Sequence, residues 1–412
     1  MPLYLYDDAR AAALEPFALT RPAGELRTGA LLIRERWEYA LGERTEAFIA
    51  RPHLADFAEA GAPPAAREMI PAGSIIVNSR LAPALERASA RAAAWMCDGR
   101  IAAVRLDRDL SPDECASGAT DLESLAPANA TAVELRGHWL DESWQLIAVL
   151  PAQLAEDIAE LGLRMPHLRP EHAIIIGDGR VFIEHGVHIE PQVCFDTRPG
   201  PVLVRKGATI QSFSRITGPC VIGEGSMILG ARVTTSSIGD HCRIGGEVSS
   251  TIVIGHSNKA HDGFLGHSCL GRWVNLGAGT TTSNLKNTYG RVSLRMADGD
   301  RQTGLQLLGT LFGDHAKTGI GLCLRTGSIV GAGANVFGSG MPPKRVAPFS
   351  WGESQPYETY ALDRFLMVAE RMMQRRDVVL SDGARRQLAT AHGLASQEGG
   401  AGSARPAAEA RA

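Results

Sequence analysis

The chain has 412 residues, of which 44% are hydrophobic and 21% charged, and its formal net charge is −3. This length is too great for one ordinary hydrophobic core and predicts two domains. The small, mixed charge excludes nucleic acid or an acidic membrane surface as an obvious partner, and no apolar run is long enough to span a bilayer.

Two features of the sequence predict a cytoplasmic protein. The first residues lack the basic start and the apolar stretch of a signal peptide. The seven cysteines are odd in number and include no Cys-x-x-Cys pair, which argues against a disulfide framework and against a structural zinc site. A reducing compartment fits both observations.

Strand-like and helical patterns alternate through residues 1–165. Short apolar runs predict strands at 3–6, 74–78 and 101–106, and apolar residues at helical spacing predict helices at 28–40, 81–94 and 139–163. Alternation of this kind is typical of an α/β, Rossmann-like domain. Pro166 and Pro170 mark its end.

A six-residue repeat begins near residue 172. Ile210, Ile216, Ile222 and Ile228 are spaced six apart, and glycine often follows the aliphatic residue of a repeat. Neither the helical period of 3.6 nor the strand period of 2 explains this spacing, but a triangular coil with six residues to each side does. One aliphatic residue per side then points inward and stacks on its equivalents, so residues 172–350 are predicted to form a left-handed parallel β-helix.

Two segments interrupt the repeat, and the chain ends in two further segments. Residues 251–268 and 283–315 break the spacing and are predicted to be loops or irregular rungs. Apolar residues at helical spacing over 357–377 predict a helix within a carboxy-terminal segment, 351–380. Residues 381–412 are rich in small and polar residues near their end and are predicted to be a disordered tail.

A segment inside the repeats carries a family resemblance. It reads Lys259-Ala260-His261, then Asn275-Leu276-Gly277-Ala278-Gly279-Thr280, then Ser283-Asn284. These motifs and their spacing resemble the acetyltransferase domain of the bifunctional N-acetylglucosamine-1-phosphate uridylyltransferase/glucosamine-1-phosphate acetyltransferase family. The resemblance implies a nucleotidyltransferase-like domain before the β-helix, acetyl-CoA as acyl donor, an amino sugar phosphate as acceptor, and a homotrimer.

The resemblance also implies roles for individual residues. An amine must lose a proton when it attacks a thioester, and histidine is the usual base near neutral pH. His261 matches the family's base. Asn284 and Asn275 resemble residues that orient this base and hold the sugar, and Ala278 resembles the position whose backbone meets the acyl thioester. Arg232 resembles a phosphate-binding arginine.

Several residues depart from the family pattern. Phe264 stands where the family has tyrosine and cannot donate a hydrogen bond. Ser249-Ser250 stand near the place of a lysine pair, so Lys259 and Lys286 are alternative sources of positive charge, or ordinary surface cations. The acceptor therefore stays open. His261 itself has a surface-loop alternative, and because no histidine pair has His-x-x-x-His spacing, no metal site is predicted.

The amino-terminal strand does not lead into the glycine-rich loop that cradles phosphates in sugar nucleotidyltransferases, because Asp7-Asp8 follow it. Thr20-Arg21-Pro22, Arg27 and Asn78-Ser79-Arg80-Leu81 resemble segments of a divergent branch of these proteins. The resemblance implies nucleotide contacts by Thr20, Arg21 and Arg27, with Mg²⁺ and a nucleoside triphosphate. Ordinary surface or helix-start arginines are the alternative.

Three functions follow from these patterns. The first is acyl transfer to an amino sugar phosphate, with or without uridylyl transfer to give a UDP-sugar in cell-envelope precursor synthesis. The second is nucleotidyl transfer alone, with a β-helix that only trimerises or regulates. The third is a non-catalytic scaffold. The Lys259 to Asn284 motifs favour the first, since a coil used only for assembly would not need them.

Overall fold

The amino-terminal part of the chain is built on one mixed sheet. The computed structural model describes residues 2–89, 91–127, 130–163, 165 and 170–402. The sheet has the strand order β4-β1-β5-β8-β7-β9, while β2 pairs with β3 and β6 pairs with β10. These strands are β1 (Leu3–Tyr6), β2 (Arg27–Thr28), β3 (Leu31–Leu32), β4 (Thr45–Ile49), β5 (Ile75–Asn78), β6 (Leu81–Pro83), β7 (Ala94–Cys97), β8 (Arg100–Arg105), β9 (Ala132–Glu134) and β10 (Gly137–Trp139).

Strand β1 lies between two parallel neighbours, β4 and β5, whereas β8 runs antiparallel to β5 and β7. Strands β4 and β5, which both follow β1 in the chain, therefore lie on opposite sides of it. The carboxyl ends of β1 and β5 border a crevice at this point. The helices of the molecule are α1 (Ile33–Leu41), α2 (Pro112–Cys115), α3 (Gln145–Gly162), α4 (Leu362–Gln374) and α5 (Asp382–Gly402), with 3₁₀ turns at Ala9–Ala13, Ala23–Glu25, Pro52–Leu54 and Leu122–Leu125.

The second part is a three-sided parallel β-helix, whose sides we call faces A, B and C. Face A contains Ile174–Ile176, Cys194–Asp196, Arg215–Thr217, Arg232–Thr234, Glu247–Ser249 and Phe264–Gly266, and the pair Thr281–Thr282 and Cys323–Leu324 follows it. Face B contains Val181–Ile183, Val202–Val204, Cys220–Ile222, Ser237–Asp240, Ile252–Gly255, Cys269–Arg272, Thr310–Phe312, Ser328–Val330 and Arg345–Val346. Face C contains His188–Ile189, Thr209–Ile210, Met227–Ile228, Arg243–Ile244, Asn258–Lys259, Asn275–Leu276, Lys317–Thr318, Asn335–Val336 and Ser350–Gly352, closed by antiparallel Glu358–Thr359.

The six-residue spacing corresponds to the inward column of each face. Ile210, Ile228 and Ile244 lie in register on face C, and Ile216 and Ile222 are equally buried on faces A and B. Stacking of these aliphatic residues forms a continuous core inside the coil. The predicted α/β part, the parallel β-helix after it and the carboxy-terminal helices are thus confirmed.

Face B differs from the other faces because its outward residues are also apolar. Phe182, Leu203 and Val221 point away from the coil and join the core of the amino-terminal part. Gly162, in α3, lies against the Phe182 ring so closely that a side chain at this position would overlap it. The amino-terminal part therefore covers face B, which explains why its first three strands, Val181–Ile183, Val202–Val204 and Cys220–Ile222, are apolar at every position.

A column of rings lies at the corner between faces B and C. His241, His256, Trp273 and His315 follow one another with centroid separations of 4.9, 4.4 and 6.4 Å. Phe365 of α4 meets the His315 ring edge-on at 5.8 Å, so the column continues into the carboxy-terminal helices. Burial lowers the pKa of His256 and of His315 to about 3, and neighbouring Arg272 and Lys317 add to the effect.

We expect the free energy of unfolding to fall by about 2 kcal/mol between about pH 7 and about pH 5.5 through these two histidines. Their folded pKa of about 3 lies below the ordinary value of 6.5. The unfolded chain therefore binds protons at a higher pH than the native chain does. The contribution of the two neutral histidines to the free energy of unfolding is present above about pH 6.5 and is lost as the pH falls. Urea unfolding at several pH values measures the slope. The slope should flatten in His256→Gln and His315→Gln but not in the exposed control His188→Gln, and equal slopes in all of them would contradict the assignment.

Several local predictions were wrong. The 81–94 segment holds no helix in its described residues, because residues 81–83 pair with β10 as β6 and residues 94–97 form β7. Residues 251–268 continue the regular coil on all three faces. Segment 283–315 leaves the coil in its first part, as a hairpin of Ser293–Met296 and Gly299–Gln302, and returns to face B at Thr310–Phe312. Helix α5 occupies 382–402 of the predicted disordered tail, while 403–412 lie outside the described residues.

Helices α1 and α3 correspond to the predictions at 28–40 and 139–163, and both begin later than predicted. Helix α1 starts at Ile33 and ends at left-handed Gly42, and α3 starts at Gln145. All seven cysteines are free thiols. Within the described ranges, no helix has both the length and the apolar composition needed to cross a bilayer.

Candidate functional site

Three of the predicted site residues line one cavity of about 370 Å³ on face C. They are His261, Asn275 and Ala278, and Arg243 borders the same space. His261 lies at the corner that follows Asn258–Lys259, and its side chain is exposed. Asn275 belongs to the next rung of the face, and Ala278 follows at its end. The rung spacing of the coil thus brings a base, an amide and a backbone turn to one place.

Lys259 supports this corner from inside the coil. It is in register with Ile244 in the inward column, is only 2% exposed, and takes the place of an aliphatic residue. Its Nζ donates to the Gly245 carbonyl at 3.0 Å and also to the His261 carbonyl. Burial lowers the pKa of Lys259 to about 8. Lys259 therefore holds the backbone that carries His261, and its predicted contact with the substrate stays a prediction.

A second cavity of about 420 Å³ adjoins the first, between face C and α4. Asn258, Asn275 and Arg243 border both spaces. The cations that line this second cavity are Arg243, Lys317, Arg371, Arg375 and Arg376. We call these five residues the cationic cleft.

The cationic cleft has no acidic counterpart. None of its five cations forms an ion pair with a carboxylate in the described part of the chain. Arg376 donates to the His241 carbonyl at 3.1 Å and to Asn258 Oδ1 at 2.5 Å, which fixes its guanidinium at the cleft. Burial, with Arg243 nearby, lowers the pKa of Arg376, and burial lowers that of Lys317 to about 8. A concentration of unpaired positive charge of this kind attracts a polyanion.

The other predicted acyl-transfer residues lie outside the two cavities. Asn284 contacts His267, with its Nδ2 2.9 Å from the imidazole Nδ1. Arg232 forms an exposed ion pair with Glu247 on face A. Lys286 Nζ donates to the Arg291 carbonyl at 2.5 Å. Asn284 and Arg232 have partners on a neighbouring rung, Lys286 has one in its own loop, and none of the three lines the His261 cavity.

Thr20 and Arg21 lie in a buried contact between the two parts of the chain. Arg21 Nε lies 3.1 and 2.9 Å from the two carboxylate oxygens of Asp314, and its terminal nitrogens contact Glu59. Thr20 Oγ1 donates to Asp314 at 2.8 Å, and Arg272 NH1 lies 2.6 Å from Glu59. Burial alone would raise the pKa of Glu59, but the two guanidinium groups lower it to about 2.

This network does not favour the nucleotide contacts predicted for the amino-terminal residues, which stay a prediction. Arg21 is 1% exposed, and its donors are occupied by Asp314 and Glu59. Arg27 is also buried and donates to the Ala30 carbonyl at 2.6 Å. Neither these two arginines nor Thr20 borders the cavity at the strand ends of the amino-terminal sheet. Thr20 and Arg21 join the two parts of the chain through Asp314, and Arg27 supports the backbone of its own part.

The amino-terminal cavity, of about 460 Å³, lies at the carboxyl ends of β1 and β5. Three arginines that sequence analysis did not assign border it, namely Arg10, Arg80 and Arg100. The segment around Arg80 was the one signal that could have found them. The acidic residues after β1 do not suit Mg²⁺: Asp7 is buried, and Asp8 is occupied by Arg80, Asn78 and two backbone donors.

Comparisons with protein families and with curated proteins show what this chain is similar to. Residues 3–164 match the family model described as sugar nucleotidyl transferase. The chain is 28% identical over 177 residues to bifunctional protein GlmU of Rippkaea orientalis, covering 41% of this chain and 36% of that protein. It is 32% identical over 161 residues to GlmU of Desulfitobacterium hafniense, covering 32% and 34%. The chain spans about a third of the length of these relatives.

A shorter match and two solved structures complete the comparison. The chain is 30% identical over 91 residues to the bifunctional sugar-1-phosphate nucleotidylyltransferase/acetyltransferase of Sulfurisphaera tokodaii, covering 22% of this chain and 23% of that protein. A hexapeptide transferase family protein from Anaplasma phagocytophilum covers 55% of this chain and 96% of its own at 14% identity and a TM-score of 0.25. UDP-N-acetylglucosamine acyltransferase from Campylobacter jejuni covers 53% and 93% at 12% identity and a TM-score of 0.16. The family resemblance predicted from the motifs is confirmed, at low identity, by the curated relatives and the family model.

Proposed function

We propose that this protein transfers an acyl group from a coenzyme A thioester to the amino group of a sugar phosphate or nucleotide-linked sugar. One observation carries the proposal: the cavity that joins His261, Asn275 and Ala278 opens beside a cleft lined by five cations, none of which forms an ion pair with a carboxylate among the described residues. The first space supplies a base and polar positioning groups, and the second suits the anionic end of coenzyme A. A coil that served only for assembly would need neither.

His261 is the base in this proposal. Its imidazole takes a proton from the acceptor amine as the nitrogen attacks the thioester carbonyl, and the C–S bond then breaks. The proton passes to the departing thiolate, so the thiol and the amide are the products. The backbone N–H of Ala278 is the donor that we assign to the developing oxyanion, because the N–H groups of Gly277, Gly279 and Thr280 already donate to carbonyls of the coil. Lys259 acts indirectly, since it holds the carbonyl of His261 from inside the coil.

The cationic cleft binds the donor in this proposal. Coenzyme A carries a diphosphate and a phosphate monoester, and arginine forks match such oxygens in pairs. Arg376 is fixed by the His241 carbonyl and by Asn258, so little ordering is needed when the anion arrives. Acetyl-CoA is the donor that we propose, in line with the family resemblance and with the acetyltransferase named in the Sulfurisphaera tokodaii relative.

The acceptor is proposed only as a class. Arg232, the residue that resembles a phosphate ligand, is paired with Glu247, and Phe264 replaces the expected tyrosine. Both differences leave glucosamine 1-phosphate as one acceptor among several amino sugars. Asn284, which contacts His267, stays a prediction as the residue that orients the base, and Asn275 stays a prediction as the residue that holds the sugar.

Nucleotidyl transfer is the second function we propose, for the amino-terminal part. The match of residues 3–164 to the sugar nucleotidyl transferase model favours it, and so does a cavity at the switch point of the sheet. A nucleoside triphosphate would be the substrate. We derive no step through Mg²⁺, because Asp7 is buried and the oxygens of Asp8 are bound by Arg80 and Asn78.

A homotrimer in the cytoplasm completes the proposal. Ile320 borders the His261 cavity yet is 78% exposed, which suits a neighbouring coil packed against this rim. Donor clefts between adjacent coils would then form as a ring closes. The seven free thiols agree with a reducing compartment.

The test is thiol release by purified protein from acetyl-CoA with a panel of amino sugars, their 1-phosphates and their UDP derivatives. We expect turnover with at least one acceptor. The variant Arg243→Gln should raise the KM for acetyl-CoA about tenfold and leave that for the acceptor within about twofold, since one charge-assisted contact is worth about this much. The absence of thiol release with every acceptor, together with the absence of acetyl-CoA binding by calorimetry, would reject acyl transfer and leave the coil as a scaffold.

A further inference from the structure

Two asparagine amides lie on successive rungs of face C, where the coil meets the segment that follows α4. Asn258 pairs with Asn275 in the register of the sheet, and Asn258 Nδ2 lies 3.3 Å from Asn275 Oδ1. Arg376 donates to Asn258 Oδ1 at 2.5 Å through NH2 and to the His241 carbonyl at 3.1 Å through NH1. A chain of hydrogen bonds therefore runs from Arg376 through Asn258 to Asn275, which borders the His261 cavity.

The direction of this chain of hydrogen bonds follows from its first member. A guanidinium group has N–H donors and no acceptor, so the atom of Asn258 that faces Arg376 must be its carbonyl oxygen. Asn258 then turns its NH2 group to Asn275, and the facing atom of Asn275 must be its own carbonyl oxygen. The NH2 group of Asn275 therefore points away from Asn258. No acceptor among the described residues binds this NH2 group, so both of its N–H bonds are available to a ligand.

This orientation divides the side chains of the His261 cavity into donors and an acceptor. Asn275 offers its NH2 group and Arg243 its guanidinium, and both can only donate there. The side-chain oxygens of Asn258 and Asn275 are already engaged. Among the described residues that line the cavity, His261 is the side chain with a free acceptor nitrogen. An ammonium group, which has only donors, is therefore directed to His261, and an oxygen of the same ligand is directed to Asn275.

We propose that Asn258, held by Arg376, is a positioning residue that sets the Asn275 amide, so that its NH2 group binds an oxygen of the acyl acceptor and the acceptor amine meets His261. Neither Asn258 nor Arg376 touches the reacting atoms. The segment after α4 thereby takes part in orienting the acceptor. This role rests on the acyl transfer proposed above, whereas the orientation of the Asn275 amide does not depend on it.

The kinetic experiment compares Asn258→Asp with Asn258→Leu, whose side chains have nearly the same size. Aspartate keeps a partner for Arg376 but offers Asn275 only acceptors, so the Asn275 amide should turn over and present its oxygen to the cavity. Leucine removes both hydrogen bonds and allows either orientation. We expect the KM for the amino sugar to rise at least about tenfold in Asn258→Asp and about threefold in Asn258→Leu, with kcat within about threefold of the wild type. Acetyl-CoA is kept saturating, because the new carboxylate also borders the cationic cleft.

Thermal unfolding separates positioning from a merely structural role. Asn258→Asp should be at least as stable as the wild type, because Arg376 gains a charged partner, whereas Asn258→Leu should be less stable. A structural role predicts that leucine is the more damaging change for the KM of the amino sugar as well, and that order would overturn the proposal. The control is Arg364→Gln, which changes an exposed arginine of α4 that borders neither cavity. It should leave both the KM and the unfolding temperature unchanged.

NMR spectroscopy tests the amide orientation without any turnover. In the full chain labelled with ¹⁵N at asparagine, the side-chain NH2 signal of Asn275 is identified by its loss in Asn275→Ser. We expect these protons to exchange with water at least about tenfold more slowly in Asn258→Asp than in the wild type, because one of them then donates to the carboxylate. Equal exchange rates in the two proteins would overturn the proposal. If the rates differed as expected but no acceptor released thiol, acyl transfer and the acceptor role would be rejected while the amide orientation stood.

Discussion

The Arg21→Met variant is expected to lose about 3–5 kcal/mol of the free energy of unfolding, measured by urea denaturation. Arg21 is buried between Asp314 and Glu59, which come from the two different parts of the chain. Removal of one member of a buried ion cluster strands the remaining charges in a site that water cannot reach, and such losses are of this size. Methionine keeps most of the volume, so the loss measures charge rather than a cavity.

The matched control is Arg295→Gln, which breaks an exposed pair with Asp300 in the hairpin. An exposed pair contributes little, so its change should stay within about 0.5 kcal/mol. If Arg21→Met were as stable as this control, the network would not join the two parts. A loss of nucleotide binding without a loss of stability would restore the phosphate-binding role that the sequence predicts for Arg21.

The His261→Gln variant is expected to lower kcat for thiol release by at least about a hundredfold. General base catalysis is commonly worth about a hundredfold or more, and glutamine keeps polarity but cannot accept the proton. His261 borders the cavity but not the cationic cleft, so the KM for acetyl-CoA should change by less than about threefold. This division between kcat and KM distinguishes a base from a donor-binding residue.

The control for this variant is His188→Gln, an exposed histidine on an earlier rung of face C, away from both cavities. It should retain wild-type kcat. A decrease of less than about tenfold in His261→Gln would remove His261 as the base. The assignment would then move to His267, the histidine that Asn284 contacts at 2.9 Å.

The coil was predictable because its information is local. The inward aliphatic residues repeat at a fixed spacing, and each rung buries them against the rungs above and below it in the same way. The sequence alone therefore determines which residues form the core of the coil. The apolar outward residues of face B, such as Phe182 and Leu203, were visible in the sequence too, but their partner was not. The helix predicted at 81–94 failed for a related reason, since Pro83 and its neighbours pair with β10 over fifty residues away.

The sequence by itself also determined the motif from Lys259 to Asn284, and with it the choice of His261, Asn275 and Ala278. Only the tertiary structure decided that Lys259 lies inside the coil, because its place in the repeat is one that aliphatic residues normally fill. The sequence also did not show which residues would be the partners of the charged side chains. Arg21 meets Asp314 across 293 positions of sequence, and the cationic cleft joins face C to a helix more than a hundred residues later. Periodicity specifies which side of an element a residue occupies, whereas the pairing of charges depends on which elements finally meet.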